Sequence, residues 1–528
     1  MTFDPVKVTA PKETVRSAGV IGAATLSSRL LGFIRDVLIA KLFGTSASAQ
    51  AFVVAWRIPN LLRDLVGEGA ANAAFVPVLT EQRKKNQEAF WSLAVALLNL
   101  MAVVLAGIVL IGCVLAPWVV RLIAPGFLED PSKFALTIHL ARWFFPYLWL
   151  IGLTAVATGA LHSLHHFAVP ALGSTLLNLC IITSAVWLSP RLETPVLALA
   201  VGILVGGVLQ LAAQIVVLKR RGLPFCLTGN FKHPEISRIG KLLVPRALGS
   251  CVYQVNLLVD TICASLGSIV GAGAVAALYY ANRLFQFPLA LAGTSFAQAS
   301  LPLLSEQALE TDKATFRGTV TSLWRMVLFF AYPSTVGLWV LGDSIVKILF
   351  ERGAFTAQAT AMTTHALVWY SVGLMSYMGV KILTNACYAL KDTRTPVKTA
   401  AVALVINVIG NLLLMKPMGV GGLALATAIS ATVNGELLRQ HLNKRIGNLN
   451  SPVEIQHAIK VAAAALVMGV VCGVLENVLG GSLAHAALSV RAVTLLGIIA
   501  AGFLTFVGTA FVLRIEEAHV LTQKIFRR

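Results

Sequence analysis

The sequence predicts an all-α polytopic membrane protein with fourteen transmembrane helices, built as two parallel six-helix lobes followed by two further helices. Composition is the first observation behind this. Of 528 residues, 57% are hydrophobic and 12% are charged, whereas a soluble domain carries about 25% charged residues. No globular core absorbs that much apolar surface, so the solvent around the chain is lipid. The second observation is that apolar runs long enough to span a bilayer recur to the end of the chain. The third is an internal repeat, set out below.

The expected helices lie near 17–41, 47–80, 90–120, 134–161, 168–189, 195–218, 239–267, 272–304, 319–342, 360–390, 396–415, 419–439, 457–479 and 488–513. The first, second and eighth are the least apolar. The expected organisation is an N-terminal tail (1–16), a first lobe (17–218), a linker (219–238), a second lobe (239–445), and the last two helices with a C-terminal tail (446–528). Residues 1–16 are polar and the first apolar run holds Arg29, Arg35 and Asp36, so no cleavable signal is expected there.

Lysine and arginine set the orientation. With the N-terminus in the cytoplasm, the segments on that side hold 25 of them and the opposite side holds 8. Both termini are therefore expected in the cytoplasm, with the chain crossing a cell (inner) membrane many times. The net charge of +19 reads as basic cytoplasmic loops and not as a nucleic-acid surface. Seven cysteines are scattered without a CxxC pair, so neither a disulfide framework nor a cysteine metal site is expected.

The repeat has an offset of about 225. PVLTEQ at 77–82 matches PLLSEQ at 302–307, and VLALA at 196–200 matches GLALA at 422–426. These pairs bracket the second and sixth helices of two six-helix halves. Six is even, so both halves start on the same side and the repeats are parallel. Such architectures place the substrate between lobes and move it by alternating access. The thirteenth and fourteenth helices fall outside the repeat.

Nine cations remain inside predicted helices: Arg29, Arg35, Arg57, Arg63, Arg142, Arg246, Arg283, Arg325 and Lys381. Each costs about 2.5–3.5 kcal/mol at a helix centre on insertion scales. Arg325, Arg246 and Arg142 read as snorkelling near helix ends. Arg29 and Arg35 lie too far inside their helix for that, and point to a watery cavity or an anion. Arg29 and Asp36 share a helix face but stand about 10 Å apart along the axis, too far to pair. Arg57, Asp64 and Glu68 share one stripe with Arg63 beside it, next to Pro59. An excess of guanidinium suits a phosphate or diphosphate, which it binds bidentately; a self-neutralising structural network is the bland alternative. Asp260, in NLLVDTICASL, corresponds at offset 225 to Arg35. A carboxylate there suits either Na⁺ or a proton, or a structural arginine partner. No GxxxxGK[ST] phosphate loop and no cytoplasmic acid cluster for a metal-dependent transferase are present.

Four stretches carry a family resemblance: SRLLGFIRDVLIAKLFG (28–44), RIPNLLRDLVGEGAANAAFVPVL (57–79), YYANRLFQFPLALAG (279–293) and DTRTPVK (392–398). Together they resemble the MurJ/MviN family of the multidrug/oligosaccharidyl-lipid/polysaccharide flippase superfamily, over the whole chain. The resemblance implies a lipid II flippase of cell-wall synthesis, not an enzyme. It implies two lobes around a cationic cavity, with a groove for the polyprenyl tail formed by the last two helices. It implies substrate contacts at Arg29, Arg35, Arg63 and Arg283 with Asp36 beside them; Glu68 matches the acid of an EGA motif, and Arg57 and Lys381 complete the expected cationic set. An acid in the seventh helix contributes to a Na⁺ site in some members, and Asp260 matches it. The implied partners are lipid II, membrane lipids and the cell-wall synthesis machinery. Other polyprenyl-diphosphate oligosaccharides are an alternative cargo; a cationic drug fits an arginine-rich lobe badly. Two positions depart from the family pattern: Gln50, where many members have Asp, and Asn282, where YYADR is common.

Overall fold

A computed structural model describes residues 12–66, 70–224, 233–449, 451–480 and 486–519, with the backbone alone at 12–21, 62, 64–66, 70–73, 242 and 244–253. The described residues form helices without strands. In chain order these are α1 (Lys12–Phe43), α2 (Ala47–Val66), α3 (Ala70–Lys85), α4 (Gln87–Ile123), α5 (Pro131–Ser163), α6 (Ala168–Trp187), α7 (Leu197–Arg220), α8 (Pro234–Ser265), the short α9 (Gly267–Val270), α10 (Ala274–Pro288), α11 (Ser295–Gln307), α12 (Ala314–Phe350), α13 (Ala357–Val372), α14 (Leu374–Ala389), α15 (Arg394–Met418), α16 (Val420–Ile446), α17 (Pro452–Gly480) and α18 (Leu488–Val512).

Nine of the described helical stretches are long and apolar enough to cross a membrane, and α13 with α14, bent by 44° at their junction, makes a tenth as one broken span. Each expected helix overlaps described helical residues, the second on either side of residues 67–69, which lie outside the described residues. The stretch expected as a single helix over 360–390 is broken at Gly373. The expected eighth helix contains a π-helical turn, Leu289–Thr294, between α10 and α11. That composite stretch is apolar enough to span and has the lowest mean hydropathy of the nine, in keeping with its place among the least apolar helices. Arg29, Arg35 and Asp36 lie on α1, Arg57 and Arg63 on α2, and Asp260 on α8.

The chain divides into two compact units. The first is residues 1–43, 47–123 and 128–254; the second is residues 44–46, 124–127 and 255–528. In the first, α5 is its most enclosed helix, with most of its residues from Leu140 to Ser163 buried. Asp130 caps that helix, accepting from the backbone N–H groups of Ser132 and Lys133 at 3.1 Å each; such a cap contributes about 1 kcal/mol. Phe75, Leu79, Phe90 and Leu93 close the core where α3, α4 and α5 meet.

In the second unit α12, α17 and α18 pack through Phe329, Met468, Leu495 and Phe506. The outward faces of α17 and α18 stay apolar and exposed at Leu466, Val470, Val474, Leu496, Phe503 and Leu504, as lipid-facing helices do. Gly44 links α1 to α2 at φ +52°, and a Cβ there would lie 2.1 Å from the Ala354 carbonyl oxygen. Only glycine fits that turn. PVLTEQ ends near the close of α3 and PLLSEQ closes α11, each with its proline, Pro77 or Pro302, inside the helix.

Candidate functional site

The intramembrane cations divide by what surrounds them. Arg29 is exposed on α1 and makes no hydrogen bond or ion pair among the described residues. Six residues on, Arg35 is deeply engaged. Its Nε and Nη2 donate to one carboxylate oxygen of Asp36, at 3.1 and 2.8 Å. Its Nη1 donates to Asn178 Oδ1 on α6 at 2.9 Å. Asp36 is 3% exposed. The self-neutralising alternative therefore describes part of the site: Asp36 faces its neighbouring arginine inside a network. Arg35 still has two of its five N–H groups for a ligand.

Arg57 and Arg63 stand half-buried on α2. Glu68 lies outside the described residues, as does the side chain of Asp64. In the second unit Arg283, on α10, donates from Nη2 to the Tyr279 hydroxyl at 3.2 Å, and its guanidinium carbon lies 5.0 Å from the Tyr279 ring centroid. Cation–π stacking of this kind presents a guanidinium edge. Lys381 is half-buried on α14.

Snorkelling is corrected for Arg325. It pairs with Glu454 through two hydrogen bonds at 2.8 and 2.6 Å and with Glu516 at 3.1 Å. Arg142 is exposed and donates from Nε to the Cys113 carbonyl at 3.2 Å. The Arg246 side chain lies outside the described residues. Sequence spacing missed Glu454 and Glu516 because they lie 129 and 191 residues from their partner.

Asp260 sits in a cluster of oxygen-bearing side chains. Asn411 Nδ2 on α15 donates to Asp260 Oδ1 at 2.8 Å, and the Thr427 hydroxyl on α16 to Oδ2 at 3.3 Å. Asn411 Nδ2 also reaches Asn407 Oδ1 at 3.0 Å. Asn407 and Asn411 are wholly buried, Asp260 is 7% exposed, and Asn411 Oδ1 has no hydrogen-bond partner. An orphaned buried acceptor costs about 1–3 kcal/mol, which a small cation would relieve. The donor set is all oxygen, which suits a hard ion.

The two departures from the family pattern are accommodated locally. Gln50 Oε1 accepts from the Lys133 ammonium at 3.1 Å, so an amide stands where a carboxylate would face that cation. Asn282 accepts from Gln286 one turn on.

A bundle of membrane-crossing helices with buried, organised charge defines a polytopic transporter. The family model for the lipid II flippase MurJ matches residues 39–504, and the chain belongs to that family. It is 35% identical to the lipid II flippase MurJ of Burkholderia cenocepacia, over 86% of this chain and 88% of that one. It is 34% identical to the probable lipid II flippase MurJ of Vibrio cholerae, over 98% and 100% of the two chains. Among solved structures it resembles a lipid II flippase MurJ in an inward closed conformation, with TM-score 0.77 and 26% identity over 94% of this chain and 98% of that one. An inward-facing multidrug transporter of the MATE family shares the fold, with TM-score 0.66 and 14% identity over 80% of this chain and 95% of that one.

Proposed function

We propose that the chain moves lipid II from the cytoplasmic to the periplasmic leaflet by alternating access, supplying peptidoglycan synthesis. The observation that carries this is the family match over residues 39–504, joined to guanidinium groups inside membrane helices. Arg29, Arg283 and the two uncommitted N–H groups of Arg35 draw the diphosphate. Arg57, Arg63 and Lys381 extend the positive field, and Asp36 and Glu68 limit it. No covalent step is needed: the cost to be met is desolvation of a charged head group, and guanidinium donors within the membrane helices replace its water.

Asp260, Asn407, Asn411 and Thr427 would hold a monovalent cation, Na⁺ by preference, beside the alternative that Asp260 carries a proton. A bound cation would compensate the carboxylate charge within the membrane. The N-terminus lies in the cytoplasm, and the lobes follow the repeat, at 17–218 and 239–445.

Complementation tests the reading. In a bacterium depleted of its own lipid II flippase, the chain restores growth. Arg29→Ala, Arg35→Ala and Arg283→Ala reach the membrane at normal abundance and do not. Arg→Lys at these positions restores growth only in part, because an ammonium lacks the bidentate fork. Full growth of all three alanine variants refutes the phosphate role.

A further inference from the structure

Arg35 and Asp36 are adjacent on α1, and adjacent residues on a helix do not face each other. Their side chains leave the axis about 100° apart. Two hydrogen bonds between them, at 3.1 and 2.8 Å, therefore require the Arg35 chain to fold back across the helix surface. A long, rotamer-rich side chain does not stay folded without an outside contact. Asn178 supplies that contact. Its Oδ1 accepts from Arg35 Nη1 at 2.9 Å, and its Nδ2 donates to the Ser28 carbonyl at 3.0 Å.

The second bond sets which end of the carboxamide faces the arginine, a choice that a carboxylate, with two acceptor oxygens, does not need. A carboxamide has one acceptor end and one donor end. With the donor end fixed on the α1 backbone, the oxygen end faces the guanidinium. Asn178 is 7% exposed, so water does not substitute for either bond. An asparagine also holds Asp260: Asn411 on α15 donates from its carboxamide to that carboxylate at 2.8 Å.

We propose that Asn178 is a positioning residue: it clamps the Arg35 guanidinium onto Asp36 and so decides which two N–H groups remain for an anionic head group. This rests on the proposed flippase reading for its consequence, but the clamp itself is testable without transport. The purified full-length protein in detergent is treated with phenylglyoxal, which modifies arginine, and residues 29 and 35 are followed by mass spectrometry. Arg29, exposed on the same helix, is the internal reference.

In the wild type Arg35 reacts much more slowly than Arg29. In Asn178→Ala the Arg35 rate rises about tenfold, the size expected for one lost charge-assisted hydrogen bond, while Arg29 is unchanged. Asn178→Asp keeps an acceptor for the guanidinium, so Arg35 stays slow. It also serves as the test if the alanine variant does not fold. In the complementation assay Asn178→Ala lowers growth at normal abundance; failure of that arm alone would strike the transport role of Arg35 and leave the clamp standing. Equal acceleration at both arginines would mean that Asn178 only packs α1 against α6. No acceleration at Arg35, or a fast Arg35 in Asn178→Asp, also overturns the clamp.

Discussion

At the scale of single residues, each polar node was only half visible in the chain. Arg35 and Asp260 stood out because a charge inside an apolar run is costly. Asn178, Asn407, Asn411 and Thr427 did not, because an uncharged polar residue in a membrane helix draws no attention without its partner, and those partners lie 20 to 167 residues away. Their role at Asp260 yields a measurable outcome. If the cluster binds Na⁺, the purified wild type unfolds at a higher temperature in NaCl than in choline chloride at equal ionic strength, because a ligand stabilises the state it binds. Asp260→Asn and Asn411→Ala abolish that difference. A wild type that responds alike to both salts removes Na⁺ from the site, and leaves the proton or an arginine partner for Asp260.

At the scale of elements, helix positions were legible because long apolar runs tolerate few other readings. Breaks inside them were not. The bend at Gly373 and the π-helical turn after Pro288 arise where packing reshapes a continuous apolar pattern. The DTRTPVK run was read as a family signature, and the structure adds its physical role. Asp392 accepts from the backbone N–H groups of Arg394 and Thr395, at 3.2 and 3.0 Å, at the start of α15. It also faces His441 at 3.0 Å and Arg445 at 3.3 Å on α16. The Thr395 backbone N–H is the largest influence holding its carboxyl down to about 2, with help from the Thr395 hydroxyl, Arg445 and His441. A depressed carboxyl contributes stability above its unfolded pKa of about 3.9 and loses it as pH falls through the folded value. Asp392→Ala is therefore less stable than wild type at pH 7 by about 1–2 kcal/mol. The gap narrows as pH falls from about 4 towards 2, where wild type loses the same charge. Thermal unfolding across that range reads it, and a gap independent of pH would deny the carboxylate its part.

For the whole molecule, composition and the 225-residue offset led to a two-lobe transporter, and the family match agrees in class. Orientation is a separate matter, resting on 25 cationic residues against 8. Single cysteines placed in a background without the seven native ones test it. Lys84→Cys and Asn230→Cys react with an impermeant thiol reagent only from the cytoplasm, and Ile269→Cys only from the periplasm. Ile269 is chosen over its neighbour because Val270 is 4% exposed and would stay unlabelled on either side. A periplasmic residue 230 reverses the orientation.

The ionic cluster that joins α12 to the last two helices has a mechanical consequence. Arg325 grips Glu454 at the start of α17 and Glu516 beyond α18, and His457 meets Glu517 at 2.8 Å with both side chains more than nine-tenths buried. A hydrogen bond to a charged group is worth about 1.5–3 kcal/mol, and the three helices also share the apolar core around Phe329, Met468 and Phe506, so they ride together as one freight. Spin labels at Gly318→Cys and Ile459→Cys, both exposed, then report one unchanging separation with or without lipid II. A second distance on adding lipid II would unseat the idea. If the separation holds, α17 is a fixed milepost against which the travel of every other helix can be surveyed.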